Sequence, residues 1–120
     1  MDLRLRGTQG GDVGFASANG KGEVVHARVT ISETPVDKVD LAIKLINEEI
    51  IPAAKKIPGY KGGYWLGDRA SGRGISITLW ESEEALKAGE DTAKQIRSDA
   101  AKRLGLKIGS IDRYEVLGQS

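Results

Sequence analysis

Residues 57–86, IPGYKGGYWLGDRASGRGISITLWESEEAL, spell a turn, a strand, a tight hairpin, a second strand and the start of a capped helix. Pro58-Gly59 stops whatever helix precedes it. Tyr60 to Arg69 is aromatic and apolar, and Gly74 to Trp80 alternates Ile75, Ile77 and Leu79 with smaller or polar residues. Ala70-Ser71-Gly72-Arg73 between them carries turn chemistry, so the two runs form a β-hairpin. Gly62-Gly63 is a place for a bulge that would shift the first of these strands by one residue. Ser82 is placed to cap the next helix, with Glu83 and Glu84 in its positive first turn.

Working outward, Val24 to Ser32 sets Val25, Ala27, Val29 and Ile31 against Val24, His26, Arg28 and Thr30, the period of two of a strand. Thr34 followed by Pro35, with Asp37 in the first turn, predicts a helix start. In that helix Val39, Ile43, Ile46, Ile50 and Ala54 form one apolar stripe, and Pro52 is expected to kink it or end its regular part. The second helix carries Ala85, Gly89, Ala93, Ile96, Ala100 and Leu104 inward and ends at Gly105; Ile108 to Leu117 is a last strand. The order β-α-β-β-α-β over about 95 residues is the ferredoxin-like α+β arrangement, a four-stranded antiparallel sheet with two helices on one face. Residues 23–120 therefore read as one domain. Residues 1–22, glycine-rich with few large apolar side chains, read as an N-terminal arm or an extra edge strand.

Composition narrows the function. Eighteen Lys and Arg against 17 Asp and Glu give a net charge of +1, too little for the basic field that nucleic acid or an anionic membrane would need. With no cysteine and one histidine, neither a disulfide framework nor a thiolate or His-rich metal site can form. No apolar stretch approaches the roughly twenty residues that cross a bilayer, and MDLRLRGTQGGDVG lacks the apolar core of a leader, so the cytoplasm is the expected compartment.

The run PGYKGGYWLGDRASGRGISITLWESEEAL, with VVHARVTI before it and IDRYEVL after it, resembles the antibiotic-biosynthesis-monooxygenase-like proteins of the dimeric α+β barrel superfamily. Its most specific pieces are Pro58-Gly59 and Trp80-x-Ser82-x-x-Ala85, and they serve the fold. The resemblance implies a homodimer whose sheets pack face to face. If Val25, Ala27, Val29, Ile31, Ile75, Ile77 and Leu79 face the helices, alternation turns His26, Arg28, Ser76, Thr78 and Trp80 to the other side, joined by Trp65. An isologous dimer would cover such a tryptophan-bearing face, so His26, Arg28, Trp65, Thr78 and Trp80 are the expected interface.

The resemblance also implies a chemistry. Haem degradation in the superfamily uses a Trp and a His on the second helix and an Asn on the first strand; Ser82 to Leu104 contains neither Trp nor His and Val24 to Ser32 contains no Asn, so no haem or other cofactor is expected. Cofactor-independent oxidation of a phenol or quinol needs a base, a ring contact and a donor for oxyanion charge. His26 is the candidate base, Tyr64 or Trp65 the ring contact, and Arg28 or Arg69 the donor, although strand parity aims His26 and Arg28 away from a pocket between helices and sheet. Glu48-Glu49, Glu81, Glu83 and Glu84 read as solvated or dipole-complementing acids, and Arg97, Lys102 and Arg103 as a solvated helix face. The expected function is a small monooxygenase-like protein that binds an aromatic or other hydrophobic molecule. A non-catalytic dimerisation or ligand-binding module is the alternative. A cavity of a few hundred cubic ångströms between helices and sheet would favour an enzyme, and that space filled by Ile43, Ile46, Ile77 and Ala93 would favour the module.

Overall fold

The alternating stretch ahead of the first helix forms β1 (His26–Glu33) in the computed structural model, which describes residues 23–120. The arm or edge strand expected over residues 1–22 lies outside the described residues. The hairpin is β2 (Tyr60–Gly67) and β3 (Arg73–Trp80), and the last strand is β4 (Lys107–Glu115). They make one antiparallel sheet in the order β2-β3-β1-β4, with helices over one face: the ferredoxin-like fold. Asp68 organises the hairpin, its carboxylate accepting from the Ala70 amide and the Ser71 hydroxyl. Gly72 closes it at φ 79°, where a Cβ would lie 1.9 Å from the Thr34 carbonyl oxygen.

That contact explains one departure at the first helix. The Thr34 amide donates to the Gly72 carbonyl, and the Thr34 side chain caps nothing; the helical run opens instead with a 3-10 turn at Val36–Lys38. After α1 (Val39–Leu45) the backbone widens into a π-helical segment, Ile46–Ile50, and tightens again into α2 (Ile51–Lys55). The π segment lies directly before Pro52, whose ring nitrogen cannot donate to the carbonyl four residues back, so the expected distortion takes this form. Ser82 caps α3 (Glu83–Ala88) by accepting from the Ala85 amide at 3.1 Å. The second helix is broken at Gly89 and resumes as α4 (Glu90–Leu104), which ends on Gly105 in the left-handed region. A Cβ on Gly89 would lie 2.8 Å from Ile57 and 3.4 Å from Trp80, so the break sits where backbone meets core.

The sheet register corrects the facing expected from the sequence. A bulge between Tyr60 and Gly62 shifts β2, and the strands then align in rows. On the helix side the rows run Gly67, Gly74, Ser32, Ile108; Trp65, Ser76, Thr30, Ile111; Gly63, Thr78, Arg28, Arg113; and Tyr60, Trp80, His26, Glu115. On the open side they run Leu66, Ile75, Ile31, Ser110; Tyr64, Ile77, Val29, Asp112; and Gly62, Leu79, Ala27, Tyr114. Thus His26, Arg28, Trp65, Thr78 and Trp80 lie on the helix side, not on the face where a dimer was expected to use them. Trp80 is 1% exposed, packed with Ile57 and Leu86 below α3. Of the apolar residues expected to face the helices, Ala27, Val29, Ile31, Ile75, Ile77 and Leu79 lie on the open side instead, where Ile31 and Ile75 are exposed, as are their neighbours Leu66, Tyr64 and Tyr114. The physical reason is that the helices bury their own Ala42, Leu45, Ala100 and Leu104 against one another and stand over a polar floor.

Candidate functional site

Two of the four floor rows contain little to fill space. Gly67 and Gly74 contribute no side chains, and Ser32, Ser76 and Thr30 contribute only short hydroxyl-bearing ones, so a cavity of about 300 Å³ remains between floor and helices. Its roof is Ile43, Ile46 and Ile50 from the first helical run and Ile96, Arg97 and Ala100 from α4. Trp65 closes the β2 side, and the hairpin residues Asp68, Arg69 and Arg73 form the mouth. Helix positions are held across the roof by Arg103, which donates to both carboxylate oxygens of Glu49 at 2.6 and 2.9 Å. That pairing holds the Glu49 carboxyl below its ordinary range. At the mouth Arg69 pairs with Asp40 of α1 at 2.8 Å, an exposed bridge from hairpin to helix.

The polar lining is unusual in being unclaimed. Among the described residues Thr30, Ser32 and Ser76 make no side-chain hydrogen bond, and neither does the Trp65 indole. Arg97 lines the same space with no carboxylate partner among the described residues. Burial lowers its pKa, and Arg28 and Arg113 lower it further by repulsion, against the opposing pull of Glu90. Next to the cavity, buried Arg28 donates to the Leu86 carbonyl at 2.9 Å and to Glu90 at 2.7 Å, and stands 5.2 Å over the Trp80 ring. Arg113 also donates to Glu90. Burial pushes the Glu90 carboxyl up, but these two guanidinium groups outweigh it and hold the group below its ordinary value.

Of the residues singled out from the sequence, Trp65 and Arg69 come together at this cavity, one on its wall and one at its mouth. Tyr64 lies on the open face, 65% exposed, and cannot reach it. His26 shares the helix side but sits in the end row beyond Arg28, with Nδ1 against the Val24 carbonyl at 2.9 Å and outside the lining. Arg28 commits its Nη2 to Glu90 and the Leu86 carbonyl, its buried Nε has no hydrogen-bond partner, and the residue lies outside the lining. Sequence reasoning missed Arg97 and the three hydroxyls. Arg97 lies four residues after Ala93 and three before Ala100, both buried, a spacing that marks it as inward-leaning. None of the lining residues is a His, Cys, Met or Tyr, so the cavity has no axial ligand for a haem iron. Among the described residues no cluster of three or more His, Cys, Asp or Glu side chains could hold a metal ion, and no helix is long and apolar enough to cross a membrane.

No family model matches the chain. Among curated proteins it is 37% identical over 98 residues to the uncharacterized protein Rv2558 of Mycobacterium tuberculosis, covering 82% of this chain and 42% of that protein. It is 32% identical over 96 residues to Rv2557 of the same organism, covering 80% of this chain and 42% of that protein. The chain thus spans about two fifths of the length of these relatives. Among solved structures, MupZ from Pseudomonas fluorescens superposes with a TM-score of 0.64 at 15% identity, covering 79% of this chain and 74% of that one. The heme-degrader MhuD of Mycobacterium tuberculosis, solved with two hemes in its active site, gives 0.60 at 22% identity, covering 79% and 98%. The monooxygenase from the gene ActVA-Orf6 of Streptomyces coelicolor, solved with Nanaomycin D, gives 0.57 at 16% identity, covering 82% and 89%.

Proposed function

Because this chain has the ferredoxin-like fold of the antibiotic biosynthesis monooxygenase-like proteins, we propose that it binds an aromatic or other hydrophobic small molecule between its helices and its sheet. The observation that carries this reading is the floor. Glycine and hydroxyl residues stand where packed cores place Val, Ile or Leu, and they leave about 300 Å³ at the lower end of the range used for small-molecule sites. The wall offers Trp65 for stacking on a ring, and the roof offers isoleucines for its apolar edge. Two of the structural neighbours were solved with small molecules bound, heme in one and Nanaomycin D in the other, which supports a small-molecule guest here.

Oxidation of that guest without a cofactor is the second part of the proposal. Arg97 and the floor hydroxyls would stabilise an oxyanion as a phenol or quinol ionises. The competing reading, a binding module without chemistry, is favoured by one observation: Asp68 is the sole carboxylate of the lining, and its oxygens are engaged in the hairpin turn. Oxygen consumption with a panel of hydroquinones and naphthols decides between them. Turnover that is lost in Arg97→Met identifies an oxygenase; binding seen by calorimetry with no oxygen uptake identifies the module. Unchanged turnover in His26→Ala would remove histidine as the base.

The homodimer belongs to the same proposal, now through the opposite face. Ile31, Val29, Ala27, Ile75, Ile77, Leu79, Tyr64, Leu66 and Tyr114 form an apolar surface that a second copy of the sheet would cover. Light scattering at micromolar concentration tests it, and a monomer there would remove it.

A further inference from the structure

The charge around the cavity indicates what kind of guest it takes, and this step rests on the small-molecule reading above. Four ionisable side chains line the space: Asp68, Arg69, Arg73 and Arg97. Asp68 is tied into the hairpin turn and Arg69 is paired with Asp40. Neither the Arg73 nor the Arg97 side chain makes a hydrogen bond or salt bridge to a carboxylate among the described residues. Arg97 is the one held inside, on the inward-leaning side of α4 beside Ala93 and Ala100. The carboxylate that acts on it, Glu90, already receives Arg28 and Arg113, so three guanidinium groups share a single negative charge. A cation partly removed from water with only a share of one counter-charge is costly, and that cost falls when an anion enters.

We infer that the guest carries an anionic oxygen, a carboxylate or an ionised phenol on an apolar ring system, and that Arg97 is the residue that binds it. The ring then lies along the Trp65 wall under Ile43 and Ile46, and the anion points toward α4. Thr30, Ser76 and Ser32 donate to the remaining oxygen lone pairs from the floor, Thr30 and Ser76 standing directly opposite each other in the β1–β3 register. The lowered basicity of Arg97 agrees with this, because burial and repulsion from Arg28 and Arg113 are what a bound anion would offset.

Calorimetric titration at neutral pH tests the inference with three ligands of one ring system: naphthoate, dinitronaphtholate and the uncharged naphthamide. Wild-type protein should bind one or both anions at least about tenfold more tightly than naphthamide, as expected of a charge-assisted hydrogen bond in a partly buried site. Preference for naphthoate alone or dinitronaphtholate alone identifies the anion as carboxylate or phenolate, and either supports the inference. Arg97→Met should cancel the preference while leaving naphthamide binding in place, and Arg97→Lys should keep part of it. Equal wild-type affinity for all three, a measurement that needs no variant to fold, would overturn the anion inference and leave the cavity reading standing. A preference that survives in Arg97→Met would overturn the assignment to Arg97. Failure of all three ligands to bind would remove the cavity reading and this inference with it.

Discussion

Filling the cavity floor should make the protein more stable and less able to bind, the reverse of what a polar-to-apolar change on a strand surface would do. Ser76 is the position to change. It stands between Trp65 and Thr30 in the row beneath the cavity, and its hydroxyl makes no hydrogen bond that a substitution would break. Ser76→Leu adds three carbon atoms, which at ~0.8 kcal/mol per buried methylene amounts to ~2.4 kcal/mol. The cavity is open toward the hairpin, so about half of that surface stays wet, and the expected gain is ~1 kcal/mol, or a rise in melting temperature of about 4 °C. Urea denaturation and scanning calorimetry measure the gain, and titration with naphthoate measures the loss of binding. Destabilisation by more than ~1 kcal/mol would mean that no room exists above the floor, since overpacking costs about that much or more. Undiminished naphthoate binding would place the guest elsewhere. Either result refutes the reasoning.

Trp80→Ala should cost about 3–5 kcal/mol in urea denaturation, because the ring is fully buried, meets Tyr60 edge-on at 5.6 Å and underlies Arg28; a loss under ~2 kcal/mol would show that this end of the core is not packed as described. Glu90 has a depressed pKa in the folded state, so its contribution is full above the ordinary carboxyl value of 4.5 and is lost as pH falls through the folded value. Urea midpoints between about pH 5 and pH 2 should therefore fall more steeply for wild type than for Glu90→Gln, and equal slopes would contradict the ion-pair account. Ile75→Lys places a charge at the centre of the open apolar face; a lone subunit tolerates it because the site is 38% exposed, whereas a dimer buries it twice. The dimer dissociation constant, read by sedimentation or light scattering, should rise at least about a hundredfold with the fold intact by circular dichroism, and an unchanged constant would exclude this face as the interface.

Element order was legible because each boundary is chemically enforced. Pro58-Gly59, the Ser82 cap and Gly105 all stand where the pattern puts them, and the hairpin turn, expected over Ala70–Arg73, begins two residues earlier at Asp68. What could not be read was which side of the sheet the helices cover. Alternation in β1 and β3 separates an apolar set from a polar set with no ambiguity, but it does not say which set meets the helices. The usual assumption that the apolar set does so failed because the helices bury alanines and leucines against each other, and because Trp80 and Arg28 belong to the polar set by parity. The Tyr60–Gly62 bulge added a second obstacle, since without it Tyr64 and Trp65 exchange faces. Arg97 was hidden for a different reason: one arginine beside a stripe of small residues looks the same in sequence whether it reaches water or a cavity.

The inverted sheet makes two features depend on one cause. If β1 and β3 presented Ile31, Ile75 and Ile77 to the helices, those side chains would fill the interior, no cavity would remain, and the outer face would carry Thr30, Ser32 and Ser76 together with the two tryptophans. Turning the strands over opens the interior and exposes the apolar set in the same move, so a binding cavity within each subunit and an uncovered apolar sheet outside it are not independent properties. Ser76 and its neighbours Ile75 and Ile77 are consecutive residues of one central strand, with the floor of the cavity on one side and the open face on the other. A partner packed on that face would therefore hold the floor from behind. In this fold the small residues under the cavity can be few and unsupported by a thick core if a second copy covers the large apolar surface on the opposite side of the same strands.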